Sequence, residues 1–316
     1  MPPRRKCKNG SSCLELAKGQ SENMTRSPAV PQPFLKWAGG KRQLVNEITN
    51  LIPKSFWREK ARFYEPFVGG GALMLHLGNP NSTQYVPGNR IYINDINPDL
   101  IITYIQVRDN VNKLITQLQK LSLDLTKEAF LDIRKSNPKS EVEIAARFIY
   151  LNKTCFNGLW RVNSKGEFNV PWGQFKKPKI FNSGNLQMVS KRLQGATISN
   201  LPYTTALMNA SKDDLVYLDP PYIPLSASSS FSKYSKDGFG LLDQFSLNGV
   251  ISGLSRAGVL VILSNSDTKL TREVFGGELN LKKVSVQRTI SARTSSRNRI
   301  TELIGTNYNY TSKVMK

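Results

Sequence analysis

Leu215-Val216-Tyr217-Leu218-Asp219-Pro220-Pro221-Tyr222 is the stretch whose reading decides the architecture of this chain. Four apolar or aromatic residues in a row predict a buried strand. They end in an acid and two prolines, which have no backbone N–H with which to continue a ladder. A buried strand that hands a carboxylate and a stiff turn to the carboxyl edge of a sheet is the usual design of an α/β ligand site. It suits one demanding substrate in particular. The exocyclic amino group of a purine or pyrimidine is a poor nucleophile, because its lone pair is delocalised into the ring. Two acceptors pulling on its N–H bonds would localise that pair, one from the Asp219 side chain and one from the backbone carbonyl of Pro220. Pro221 stiffens the turn, and Tyr222 can stack on a base. Taken alone, the stretch serves equally as a strand ending in a Pro-Pro turn with Asp219 as a cap.

Upstream, Arg62-Phe63-Tyr64-Glu65-Pro66-Phe67 reads as a strand, Gly69-Gly70-Gly71 as a tight turn, and Ala72 onward as a helix. A second strand, Arg90-Ile91-Tyr92-Ile93-Asn94-Asp95, again ends in an acid. Strand, glycine turn, helix, strand, acid is a nucleotide-type βαβ unit, although Gly69 to Asp95 is longer than the roughly 20 residues usual for dinucleotide folds. No Gly-Lys-Ser/Thr follows the glycines, which argues against a phosphate-cradling loop and for a non-phosphorylated nucleoside cofactor. Residues 98–152 are helical in pattern, with Ala145, Phe148, Ile149 and Asn152 on one period. Further on, Arg161-Val162-Asn163, Ser164-Lys165-Gly166 and Glu167-Phe168-Asn169-Val170 predict a β-hairpin. Strand signals resume at 215–218 and 259–265. The α/β core is thus interrupted by an insert of about 85 residues, enough for a lobe of its own.

The chain has 316 residues, 39% of them hydrophobic, and its 44 Lys and Arg against 23 acids give a formal charge of +21. So basic a balance favours a polyanionic partner over a small substrate. The charge is concentrated: residues 153–179 carry Lys153, Arg161, Lys165, Lys176, Lys177 and Lys179 against Glu167 alone, and residues 281–300 carry six basic residues and no acid. These are the candidate nucleic-acid faces, the first with aromatics interleaved. No apolar run approaches the roughly 18 residues of a membrane span. Cys7, Cys13 and Cys155 fit neither a disulfide framework nor a zinc site, so a reduced cytoplasmic setting and no metal are expected. His76, the only histidine, lies in an apolar run and reads as packing rather than catalysis. Residues 1–32 lack any sustained period and read as a disordered basic tail.

These segments together resemble one family, the Dam-type DNA adenine-N6 methylases of the D12 family, in its class alpha arrangement. The resemblance runs from Pro33 to about Tyr310, through Pro33–Lys41, Glu65–Gly71, Asn94–Asn97, Phe156–Arg161, Gly166–Pro171 and Asp219–Tyr222. It implies a Rossmann-like S-adenosylmethionine-dependent methyltransferase sheet, with an inserted helical lobe and β-hairpin for DNA recognition. The catalytic domain would comprise residues 33–97 and 182–316, and the target-recognition lobe 98–181. It also implies S-adenosylmethionine as methyl donor, bound by Trp37, Lys41, Glu65, Pro66, Phe67, Gly69, Gly71, Asp95 and Asp219. Asp95 would take the ribose hydroxyls.

By the same resemblance the target adenine flips out of double-stranded DNA. Phe156 and Asn157 would fill the gap, Lys36 would contact the first base pair, Arg161 a guanine at the far end, and Leu159 and Pro171 the thymine methyl, which suggests GATC. The enterobacterial enzymes have Tyr where Phe156 stands, so stacking survives and a phenolic hydrogen bond does not. A monomer in the cytoplasm of a bacterium, or encoded by a phage or plasmid and associated with the nucleoid, is the expected setting. A cognate restriction endonuclease is the conceivable protein partner. The rival readings are an N4-cytosine or protein-glutamine methyltransferase, whose members carry Ser or Asn at the place of Asp219, and a silent DNA-binding protein on the same fold. Cytosine C5 chemistry would need a Pro-Cys nucleophile, and no such dipeptide occurs.

Overall fold

The computed structural model describes residues 30–58, 60–78, 84–175, 178–223, 239–287 and 299–310. The expected tail up to residue 29, Lys176, Lys177 and most of the second basic stretch, 288–298, lie outside them. The strands are β1 (Phe63–Glu65), β2 (Ile91–Asn94), β3 (Thr197–Ser199), β4 (Leu215–Leu218), β5 (Leu260–Ser266), β6 (Asn280–Gln287) and β7 (Arg299–Thr306). They form one sheet in the order β3-β2-β1-β4-β5-β7-β6. The first five are mutually parallel, whereas β7 runs antiparallel to both β5 and β6. This is the expected Rossmann-like α/β sheet, with a reversed hairpin at one end. The chain leaves β1 toward β2 on one side and reaches β4 on the other, so the topological switch point lies between β1 and β4.

Alternation along the strands supplies both faces of the sheet. Leu215, Tyr217 and Ile262 join Phe63, Ile91 and Ile93 in one core. Val216, Leu218, Val261 and Leu263 join Tyr64 in another. Because β4 is buried on both faces, it reads in sequence as an unbroken apolar run.

The insert supplies helices Pro98–Asp109, Val111–Leu121, Lys127–Lys135 and Glu141–Thr154. Side chains at Asn97, Thr126 and Ser140 accept backbone N–H groups at the starts of the first, third and fourth. Tyr104, Leu114, Leu118, Phe130, Phe148 and Ile149 pack into the same core as one face of the sheet. Each such fully buried side chain contributes about 2 kcal/mol of hydrophobic stabilisation. The predicted period holds, for Ala145, Phe148, Ile149 and Asn152 are all at most 1% exposed. The hairpin is shorter than a full ladder: a single antiparallel bridge, Val162↔Phe168, closes over a turn in which Gly166 N–H donates to Asn163 O. Among the described residues no helix is long and apolar enough to cross a membrane.

Candidate active site

Three carboxylates meet at the carboxyl edge of the sheet, because three adjacent strands end there. β1 ends in Glu65, β2 is followed by Asp95 and β4 by Asp219. The turn after β4 is held by side chains from elsewhere. Gln244 Nε2 donates to Pro221 O at 2.8 Å, Ile223 N–H donates to Asn265 Oδ1 at 3.2 Å, and Ser266 Oγ donates to Ile223 O. Gln244 and Asn265 are each 1% exposed and bond to each other, so the lock is itself satisfied. No described residue donates to the carbonyl of Pro220.

Lys41 Nζ lies 2.9 Å from Asp219 Oδ1 and also donates to Gly39 O. Asp219 Oδ1 is shut off from solvent and faces the Lys41 ammonium, and because a carboxylate oxygen accepts in more than one direction it keeps acceptor capacity beside that ion pair. Burial pushes the Asp219 carboxyl above its ordinary range, and Lys41 pulls it back only in part. Burial, then the charge of Asp219, hold Glu65 well above its range against one backbone donor, Met74 N–H. Lys41 Nζ also stands 4.6 Å from the centre of the Tyr222 ring, whose hydroxyl donates to Glu302 Oε2 at 2.8 Å. Glu302 comes from β7 and has no counterpart in the sequence reading.

The glycine turn lies beside this group. Gly69 has φ +45°, and a Cβ there would stand 2.5 Å from Trp37 Nε1, so both backbone and neighbour require glycine. Gly69 N–H donates to Asp95 Oδ2 at 3.1 Å and the Tyr104 hydroxyl to Gly69 O at 2.9 Å. Asp95 Oδ1 in turn accepts from Asn97 N–H, ahead of the helix. Asp95 thus braces the turn, with burial raising its pKa against its backbone donors. Gly71 also has positive φ, and Phe67 packs against Tyr203 and Phe239. Asn94 Nδ2 donates to the carbonyl of Pro66. Half-buried His76 makes no hydrogen bond with any of these residues.

A second group surrounds the start of the hairpin. Phe156 is 42% exposed, and its N–H donates to Pro171 O at 2.8 Å. Asn157 takes a left-handed φ of +55°, turning the chain into Gly158 and half-buried Leu159. Arg161 is exposed, with Nε donating to Asn169 Oδ1 at 2.7 Å. Lys36 joins this group through Asn152, a fully buried amide. Asn152 Oδ1 accepts from Lys36 N–H at 2.8 Å, while its Nδ2 donates to Lys36 O at 2.7 Å and Gly158 O at 3.1 Å. Lys36 Nζ stands 4.3 Å from the centre of the Phe175 ring. Burial, then repulsion from Lys36, lower the Lys153 pKa to about 8. The residues expected to meet a donor and those expected to meet a duplex therefore form two groups, joined by the segment that carries Lys36, Trp37 and Lys41.

The sequence model of the D12 class N6 adenine-specific DNA methyltransferases matches residues 37–290. The chain belongs to this family. A Type II methyltransferase of Lactococcus lactis subsp. cremoris is 41% identical over 285 residues, 88% of this chain and 95% of the relative. A Type II methyltransferase of Methanocaldococcus jannaschii is 40% identical over 292 residues, 88% and 99% of the two chains. The DNA adenine methylase of Escherichia coli K12 is 35% identical over 275 residues, 86% and 93%. The protein is therefore an adenine-specific DNA methyltransferase, and its family uses S-adenosylmethionine as methyl donor.

The site of the methyltransferase fits that donor chemically. Asp219, Asp95 and Glu302 outnumber the lysine among them, a balance suited to a sulfonium cation. Asp219 Oδ1 is buried with unused acceptor capacity, and the glycine turn carries no side chain that would fill the space beside Trp37.

Sequence reasoning missed Glu302, Asn152 and the Gln244–Asn265 lock. For Asn152 a signal existed, since an amide on an apolar helical period must satisfy its groups inside the core. For Glu302 there was none, because its role depends on a strand pairing.

Proposed function

We propose that this methyltransferase methylates adenine N6 within GATC of double-stranded DNA, acting on a base flipped out of the duplex. The catalytic domain comprises residues 33–97 and 182–316, and residues 98–181 form the target-recognition lobe. S-adenosylmethionine, when bound, supplies the methyl group as an electrophile on a sulfonium sulfur. Trp37, Lys41, Glu65, Pro66, Phe67, Gly69, Gly71, Asp95 and Asp219 hold it. Asp219 and the Pro220 carbonyl accept the two N–H bonds of the target amino group and turn its lone pair toward the methyl group. Tyr222 stacks on the base, and Pro221 keeps the turn stiff. As the N6–carbon bond forms, the carbon–sulfur bond would break to leave a neutral thioether, and the surplus N6 proton would pass to Asp219 or to solvent; the transfer is direct and requires no covalent intermediate with the protein. On the duplex, Phe156 and Asn157 occupy the gap, Lys36 meets the first pair, Leu159 and Pro171 the thymine methyl, and Arg161 the outer guanine.

The observation that supports this reading best is the pair of acceptors after β4, a buried Asp219 oxygen with spare capacity and a Pro220 carbonyl to which no described residue donates, on a turn locked by Gln244 and Asn265. Two measurements test it. Asp219→Asn is expected to bind duplex DNA near-normally and to lose most of its single-turnover rate, and Asp219→Ala to lose turnover and weaken donor binding. Full activity of the alanine variant refutes the role. Sequencing that detects N6-methyladenine in DNA from cells expressing the chain is expected to find it at GATC, and methylation at any other site refutes the target assignment.

A further inference from the structure

The Tyr222 side chain is fixed at two points that no recognised segment of the sequence contains together. Lys41 Nζ lies over one face of its ring, 4.6 Å from the centre, and the phenolic hydroxyl donates to Glu302 Oε2 at 2.8 Å. Glu302 is well placed to act as an anchor. It sits mid-strand in β7, opposite Ser266 of β5 and Val284 of β6, so ladders on both sides hold its backbone. Tyr222, by contrast, follows two prolines on a turn. With Lys41 over one face, a stacked base takes the other, and the angle of that face is set by where the hydroxyl is tied.

We propose that Glu302 is a positioning residue for the methyl-transfer reaction, holding the Tyr222 ring in the orientation that receives the target base. This rests on the reading that Tyr222 stacks on the flipped adenine. A hydroxyl donating to a carboxylate makes a charge-assisted bond, stronger and more directional than a neutral one. A ring held in place beforehand does not have to be ordered when the base arrives. The alternative is a carboxylate that only satisfies a buried hydroxyl, with no bearing on the reaction.

A double-mutant cycle separates the two. Tyr222→Phe and Glu302→Ala are each expected to lose about tenfold in kcat/KM on the cognate duplex, and the double variant to lose no more than either. Additive losses, or an unimpaired Tyr222→Phe, overturn the proposal. Glu302→Gln keeps an acceptor for the hydroxyl and is expected to recover most of the loss. Should Glu302→Ala not fold, Tyr222→Phe is compared in the native and Glu302→Gln backgrounds: a smaller loss beside Gln supports the anchor, and an equal loss overturns it. A duplex with 2-aminopurine at the target adenine gives a readout that a purely structural role would not move. Its fluorescence on the bound protein is expected to shift alike in Tyr222→Phe and Glu302→Ala, and no shift in either counts against the anchor. Tyr222→Ala tells the underlying reading apart. If it is fully active, Tyr222 is no part of the target site and both ideas fall. If it is impaired while Tyr222→Phe is not, the site reading stands and Glu302 alone is excluded.

Discussion

Arg161 is exposed, but it is not free to point anywhere. Its Nε donates to Asn169 Oδ1 at 2.7 Å and its Nη2 to Asn169 O at 3.4 Å, so the guanidinium is restrained across the hairpin. A base-reading arginine changed to Ala loses about 1–3 kcal/mol on the cognate site and much less on a site altered at the outer guanine, so the two substrates converge. A phosphate-anchoring arginine weakens both and preserves their ratio. We expect convergence with the adenine requirement kept, measured as kcat/KM for Arg161→Ala on GATC and each single-pair variant at one salt concentration. An unchanged ratio removes Arg161 from base reading. Glu65 offers a test of a different kind, because it is buried and its carboxyl is held well above the usual range in the fold. Above the unfolded pKa of about 4.3 the native state binds the proton more tightly than the unfolded chain, so this group's contribution falls as pH rises toward the folded pKa. Glu65→Gln keeps an acceptor for Met74 N–H and has no proton to lose. Its melting temperature is expected to gain on the parent's as pH is raised above the unfolded pKa and to stop gaining once the folded pKa is passed; a constant gap would mean that Glu65 is ionised in the fold.

At the scale of elements, helix Glu141–Thr154 carries the Asn152 clasp at its end, where it grips Lys36 on one side and Gly158 on the other. Asn152→Ala leaves one N–H and two carbonyls without their partner. We expect a loss of about 3 kcal/mol in urea unfolding, the cost of stranding buried polar groups. A loss under about 0.5 kcal/mol, the scale of an ordinary surface substitution, would show that the contact is dispensable. The same elements explain what could be read in advance. β1, β2, β4 and β5 were legible because each is an apolar run ending at a polar residue, and strand ends are where acids matter. β3 was not, since Thr197–Ser199 is partly exposed and only three residues long. In β6 the pair Lys282-Lys283 reads as a charged surface, which it also is. Its strand character follows from β7, whose partner β5 lies more than thirty residues earlier in the chain. Glu302 was hidden for that reason, while Asp219, Glu65 and Asp95 were not.

For the whole molecule, the formal charge of +21 sets the terms on which it meets DNA. Binding to unrelated duplex is expected to weaken steeply with salt, since each phosphate neutralised contributes about −0.9 to the slope of log K against log salt. A filter-binding titration between 50 and 200 mM salt, roughly the range over which such contacts fade, checks this; a flat response would assign the charge to another purpose. The sheet carries a further consequence for how the molecule comes into being. Its strands are not laid down in spatial order, for β7 emerges after β6 yet inserts between β6 and β5. During synthesis, which proceeds N-terminus first at about 5–20 residues per second, the parallel strands can assemble while the flank of β5 stays open. Only when β7 emerges is that flank closed. Glu302 arrives with the same strand. A growing chain therefore carries the Asp219 turn before it carries Glu302, and by the role proposed for Glu302 competence waits on β7.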